Sequence, residues 1–351
     1  MRRDGNPSFP NSPLQENRMM HLPAIHIYPY GLAVATAAAL CLALTGRAMA
    51  HRSLMRDTLT TFALWGIPLC FLCARLLYCL ICLDGFSRDG IAYFFSFTQG
   101  GYTLWGAVFG GALAIGIAAR KTGQDARAIA DALAAPAALM VALCRLAEGL
   151  VGQGYGWYVE DWFDPSSGMS LFHPQELDAF LRFPFAVQDM YGEWCFAIFM
   201  LEALFALMIF FLLRRAASHA PGETAQTFLL LLASSQILFE SLRQDAVLRF
   251  GFVRINQVLS AVVVVSLLAC GCLRLAANGR KAPILPAVLG TALCIGVAIA
   301  MEFALEKKIV LLEWMPMDVC YAMTALACIG LAAIVRTVLK TGVRIPSRGA
   351  H

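Results

Sequence analysis

Apolar residues dominate nine long stretches of the chain, and short polar stretches separate them. The stretches run over 27–46, 59–83, 101–119, 126–150, 191–213, 224–241, 255–276, 283–303 and 317–339. Each is long enough, as a helix, to cross a hydrocarbon layer about 30 Å thick. Pro68 and Pro136 fall inside two of them, and membrane helices tolerate such interruptions. The pattern predicts an all-α, polytopic membrane helix bundle. The first 24 residues are polar, with Pro and Asn prominent, and no run of small residues follows an apolar segment as it would in a secretory leader. A disordered tail over 1–24, ahead of a retained first span, is the expectation.

Composition agrees with this reading. Of 351 residues, 59% are hydrophobic and 14% charged, against about 25% charged in ordinary soluble chains. The mean hydropathy is +0.67. These values exclude a disordered chain and argue against a soluble enzyme. The net charge of +4 is too small to suggest a nucleic-acid partner, so Lys and Arg are read as topology markers. With the N-terminus outside, the inner segments collect Arg47, Arg52, Arg56, Arg120, Lys121, Arg127 and nine others, including a cytoplasmic tail over 341–351. The outer segments collect ten, which favours N-outside. Cys70/Cys73 and Cys79/Cys82 have metal-pair spacing, but no His or further thiol accompanies them. The cysteines therefore read as small hydrophobes, and neither metal nor cofactor is expected.

Charges within the spans are few and costly. They are Arg75, Asp131, Arg145, Glu148, Glu202, Glu240 and Arg243. Arg145/Glu148 and Glu240/Arg243 are i,i+3 pairs, which on a helix share a face. Two readings fit: an ion-pair network that sets helix register, or a polar cavity whose guanidinium forks hold an anionic headgroup. Glycines at 149, 152, 154 and 156 would break the helix after Arg145 and expose backbone N–H groups beside it, as an anion cradle requires. The long outer loop 151–190 carries Tyr155, Trp157, Tyr158, Trp162, Phe163 and Phe172 together with His173. It reads either as an interfacial anchor or as a cap over a site.

Seven short motifs, in order over residues 25–276, resemble those of the prolipoprotein diacylglyceryl transferases. They are Tyr28-Pro29-Tyr30-Gly31-Leu32, Ala74-Arg75-Leu76-Leu77-Tyr78, Gly100-Gly101 through Gly106, Ala134-Ala135-Pro136, Cys144-Arg145 through Gly156, Glu240-Ser241-Leu242-Arg243, and Asn256-Gln257-Val258-Leu259-Ser260. The resemblance implies a seven-span core with its N-terminus outside, in the bacterial plasma membrane. The last two spans, within 277–340, lie beyond it. It also implies transfer of a diacylglyceryl group from phosphatidylglycerol, or a related phospholipid, to the lipobox cysteine of a prolipoprotein, whose signal peptide would be a partner. On this basis Tyr30, Arg145 and Arg243 are the expected catalytic residues. Arg75, Glu148, Gly152, Gly156, Glu202 and Glu240 are the expected substrate-binding ones.

The chain departs from the family pattern at several points. Trp105 stands where the family has histidine, Glu148 where it has asparagine, Gln153 where it has glutamate, and Trp157 where it has arginine. His173 is a candidate replacement base. The departures and the two extra spans fit an alternative, a non-catalytic lipid-binding or partner-binding scaffold that keeps the fold.

Overall fold

The computed structural model describes residues 20–22, 25–83, 88, 90–97, 100–166, 169–171, 181–216, 220–245, 248–250, 253–308, 312 and 314–342. Nine long helices appear among them: α1 (Pro29–His51), α2 (Arg56–Ile81), α3 (Leu104–Thr122), α4 (Ala126–Glu148), α5 (Ile198–Arg215), α6 (Glu223–Leu242), α7 (Ile255–Ala277), α8 (Ile284–Leu305) and α9 (Met317–Thr341). Eight are long and apolar enough to cross a membrane. The ninth, α5, carries Glu202, Arg214 and Arg215 within 18 residues. Large apolar side chains such as Leu64, Leu273, Leu293 and Leu326 point out of the bundle. An apolar perimeter of this kind suits a lipid surround and not water. The chain is a multi-pass membrane protein, with eight helices of spanning length and composition among the described residues.

Two expected boundaries shift. Within the stretch expected to be a disordered tail, Met20–Leu22 pairs antiparallel with Ile25–Ile27; residues 1–19 lie outside the described part. The fifth span was expected at 191–213, but its helix begins at Ile198. The apolar run Trp194–Ala197 is instead the central strand of a three-stranded antiparallel sheet, between Tyr155–Tyr158 and Ala186–Gln188. Hydropathy cannot tell a short apolar strand from the first turn of a helix. The loop expected at 151–190 is thus an ordered outer layer in its described part. It contains the short helix Val159–Phe163, whose Trp162 stacks on Tyr321 at 5.8 Å. Burial, with the Asp189 and Glu193 carboxylates nearby, pushes the Cys195 thiol in this layer up to about 12, and so leaves it a packing residue.

Small residues set the closest helix contact. A Cβ on Gly106 would lie 2.5 Å from the Cys73 carbonyl oxygen. One on Gly110 would collide with the Leu69 carbonyl. Helices α2 and α3 therefore pack backbone to backbone, as small residues permit in membranes. Thr103 caps α3 by accepting from the Gly106 N–H at 3.1 Å, and it also donates to the Ala74 carbonyl. Trp105 does not face a polar site. Its indole N–H donates to Ser260 Oγ at 3.1 Å, and it packs with Ile237, Val264 and Leu331 in the largest apolar core, shared by α3, α6, α7, α8 and α9.

Arg75 organises the approach to α3. It is 1% exposed. Its guanidinium donates to the carbonyls of Tyr93 (2.5 Å), Phe94 (3.2 Å), Ser96 (3.2 Å), Gly100 and Gly101 (3.2 Å), and the rings of Tyr78, Tyr93 and Tyr102 surround it. Irregular backbone at membrane depth requires such internal donors. Asp131 has a comparable task on the opposite side of the bundle, where it accepts from the Gly222 and Ala225 N–H groups at the start of α6.

Two substitutions test this framework. Gly110→Val should cost about 1–3 kcal/mol or more through overpacking and lower the thermal midpoint of the purified protein. Arg75→Lys keeps the charge but has three donors for five carbonyls. It should lower the yield of folded, monodisperse protein, and Arg75→Met should lower it further.

Candidate functional site

The irregular segment after α4 creates the site. Gly152 and Gly154 take left-handed backbone (φ +69° and +78°), which an L side chain adopts only with strain. A Cβ on Gly154 would also lie 2.6 Å from Phe199 Cβ. The chain thus turns sharply back over the end of α4, and the Phe199 N–H donates to the Gly154 carbonyl at 2.9 Å. Gly156 serves the same packing: a Cβ there would meet Ile198 at 2.8 Å. The exposed N–H groups expected here are not free. That of Gly154 donates to Asp245 Oδ2 at 2.5 Å, and that of Gln153 to the Glu148 carbonyl.

Beneath this turn, four expected residues meet, from α4, from α5 and from the position just past α6. Arg145 Nη1 lies 2.5 Å from Glu148 Oε1, and Arg243 Nη1 lies 2.9 Å from Glu148 Oε2. Arg145 Nε and Arg243 Nη1 both lie 3.1 Å from the same oxygen, Glu202 Oε2. Glu148 therefore bridges the two guanidiniums with both its oxygens, and Glu202 bridges them a second time. All four side chains are nearly closed to solvent, with Glu202 at 1% exposure. Tyr30, in the first turn of α1, brings its phenol within electrostatic reach of Glu148, Arg145 and Arg243.

Two expected members stand elsewhere. Arg75 is saturated by the carbonyls before α3. Glu240 is buried, but it does not pair with the Arg243 side chain as the i,i+3 spacing suggests; its Oε1 accepts from Asn256 Nδ2 at 3.2 Å. Arg243 is the residue just past α6 and has extended backbone (φ −75°, ψ 135°), so the helical face rule ends one residue before it. His173 lies outside the described residues.

Three members were not foreseen. Gln236 accepts from Arg145 Nη2 at 2.9 Å and donates to Glu202 Oε1 at 3.3 Å. Asp245 receives Arg243 Nε at 3.1 Å and Nη2 at 3.2 Å, a fork-to-fork pair. Arg254 donates to the carbonyls of Glu240 (2.5 Å) and Arg243 (2.6 Å). Gln236 sits four residues before Glu240 on one helix, so a polar face at i,i+4 was a usable signal. Asp245 and Arg254 lie in non-helical chain, where spacing carries no facial information.

Comparison with known proteins agrees with the motifs. A family model described as prolipoprotein diacylglyceryl transferase matches residues 17–272. Three relatives are named phosphatidylglycerol–prolipoprotein diacylglyceryl transferase. That of Geobacillus kaustophilus is 26% identical over 268 residues, covering 75% of this chain and 94% of the relative. That of Bacillus cytotoxicus is 28% identical, covering 71% and 88%, and that of Enterococcus faecalis 24% identical, covering 69% and 84%. The matched region takes in α1 to α6 and most of α7, and both Arg145 and Arg243; α8 and α9 lie beyond it. On the ordered motifs, the helical bundle and this match across most of its length, the chain belongs to the prolipoprotein diacylglyceryl transferase family.

Proposed function

We propose that this chain transfers a diacylglyceryl group from phosphatidylglycerol to a cysteine thiol of a prolipoprotein. The observation that carries the reading is the convergence of Arg145, from α4, and Arg243, just past α6, on one carboxylate oxygen, Glu202 Oε2, 3.1 Å from each. Two guanidiniums aimed at one oxyanion are suited to a phosphate on which charge develops.

In this reaction the thiol sulfur forms a bond to the glyceryl carbon that carries the phosphate. The carbon–oxygen bond breaks, and glycerol phosphate leaves with the electron pair. The thiol proton ends on the departing phosphate, so the stoichiometry needs no further reactant. Arg145 and Arg243 hold the phosphate through the step. Tyr30 borders it, and Gln236 and Asp245 fix the two guanidinium planes. Gly152 and Gly156 shape the turn that roofs the site, Glu202 and Glu240 sit behind it, and Arg75 acts at a distance through the backbone before α3. Trp105, locked in the core against Ser260, is no substitute for a histidine base.

One observation favours a second reading, a lipid-binding or partner-binding scaffold without catalysis. Glu148 already occupies both arginines with its two oxygens, so an anionic headgroup must displace a carboxylate held at 2.5 and 2.9 Å.

Complementation of a bacterial strain depleted of its own transferase, scored by growth and by the mobility of a model lipoprotein, separates the two. Rescue is expected. Arg243→Lys retains the charge but not the fork, and should lower transfer on the order of 100-fold with little loss of inserted protein. Arg243→Ala is the poorer test, because it strands Glu148, Glu202 and Asp245 without a cation and should lower stability as well. Glu148→Gln removes the competing charge and should lower the KM for phosphatidylglycerol severalfold, while the loss of one carboxylate from the buried cluster lowers the thermal midpoint. Absence of rescue by an inserted wild-type chain would favour the scaffold.

A further inference from the structure

Helices α8 and α9 lie beyond the family match, yet they reach the site. Glu302, near the outer end of α8, is the centre of the contact. Its Oε1 accepts from Arg254 Nε at 3.0 Å. Its Oε2 accepts from Ser241 Oγ at 2.6 Å and from Gln257 Nε2 at 3.1 Å. The Arg254 and Glu302 side chains are 5% and 14% exposed, respectively. With its Nε held by Glu302, Arg254 turns Nη1 onto two carbonyls at the end of α6, those of Glu240 and Arg243. The last carbonyls of a helix have no partner within it, so their orientation is set by whatever donor meets them. From α9, the Tyr321 hydroxyl donates to the Ser241 carbonyl at 3.2 Å and receives the Trp157 indole N–H at 3.3 Å.

Gln257 belongs to α7, but the other two side-chain partners of Glu302, Ser241 and Arg254, bear on one short stretch, the last turn of α6 and the residue after it. The side chain of that residue, Arg243, is the one that meets Glu148, Glu202 and Asp245. We propose that Glu302 is a positioning residue for Arg243, acting through Arg254, and that the appended helices hold the headgroup site in register. The catalytic part of this inference rests on the transferase reading; the mechanical part does not. A pair of helices attached only to fill the bilayer would present lipid-compatible side chains at this depth. A carboxylate that accepts three hydrogen bonds is costly there unless it holds something in place.

The test uses the full chain in phosphatidylglycerol-containing nanodiscs. The Nε–H resonance of Arg243 is followed by NMR in 15N-arginine-labelled protein, with Arg243→Lys identifying the signal. Kinetics of transfer to a model prolipoprotein peptide are measured in parallel. Glu302→Gln keeps the size of the side chain and removes its charge. It should shift or broaden the Arg243 signal and lower kcat about tenfold or more, since small misplacements at a reacting centre cost up to about 100-fold. The KM for the acceptor peptide should stay unchanged. The double variant Arg254→Met/Glu302→Leu removes the pair without leaving a buried charge; it should behave the same and decides the matter should Glu302→Gln fail to fold. An Arg243 resonance at its wild-type position and width in these variants would overturn the proposal. Wild-type protein without transfer activity would instead overturn the transferase reading, and the resonance would still decide the brace.

Discussion

Mutual neutralisation of Arg145 and Arg243 by Glu148 and Glu202 is the interaction on which the rest of this structure depends. Each charge alone, at this depth, costs a few kcal/mol, and removal of one partner from a buried pair typically costs about 3–5 kcal/mol. The four groups are tolerable only together. They come from α4, α5 and the end of α6, so no two of these helices can separate without stranding a charge. The same requirement explains the polar side chains that finish the arrangement. Gln236 takes the third Arg145 nitrogen, Nη2, and Asp245 takes the outer edge of Arg243.

The glycine-rich turn after α4 follows from this constraint. The chain must leave α4 just beyond Glu148 and turn back across the end of that helix, close against Glu148 and Phe199. Left-handed backbone at Gly152 and Gly154 makes that turn, and the absence of a Cβ at Gly154 lets it rest on Phe199. The Tyr155–Tyr158 strand then joins the Trp194–Ala197 strand, and the Gln244 N–H donates to the Tyr155 carbonyl at 2.9 Å. The outer sheet is thereby tied to the segment that carries Arg243. The aromatic residues of this layer do not serve only as an interfacial belt; Trp157 and Trp162 both contact Tyr321 of α9.

Charge also separates the two fates of buried arginine in this fold. Among the described residues, Arg75 meets the carbonyls of an irregular segment and three tyrosine rings. Arg145 and Arg243 meet carboxylates and form a nearly neutral cluster. An incoming phosphate would compete with Glu148 in the second case and with backbone carbonyls in the first. Only the carboxylate can be exchanged for another oxyanion without unravelling the chain. The proposed headgroup site therefore falls at the arginine pair and not at Arg75.

Much of this was legible in the residues themselves. Nine apolar stretches located the nine long helices to within a few residues, except at Trp194–Ala197, where an apolar run is a strand because partners on both sides take its backbone hydrogen bonds. Intramembrane charges marked the buried ionic cluster, since such side chains persist at that depth only with a partner or a task. The i,i+3 spacing paired Arg145 with Glu148 correctly because both lie within one helix. It failed for Glu240 and Arg243, because the helix ends between them. Sequence by itself therefore determined the helices, the buried charges and the family, all of which rest on local pattern and composition. Tertiary structure alone decided which carboxylate faces which guanidinium, that Arg75 serves the backbone, and that Glu302 reaches the end of α6. Those pairings join residues up to about a hundred positions apart, and they depend on how helices pack, which no local spacing encodes.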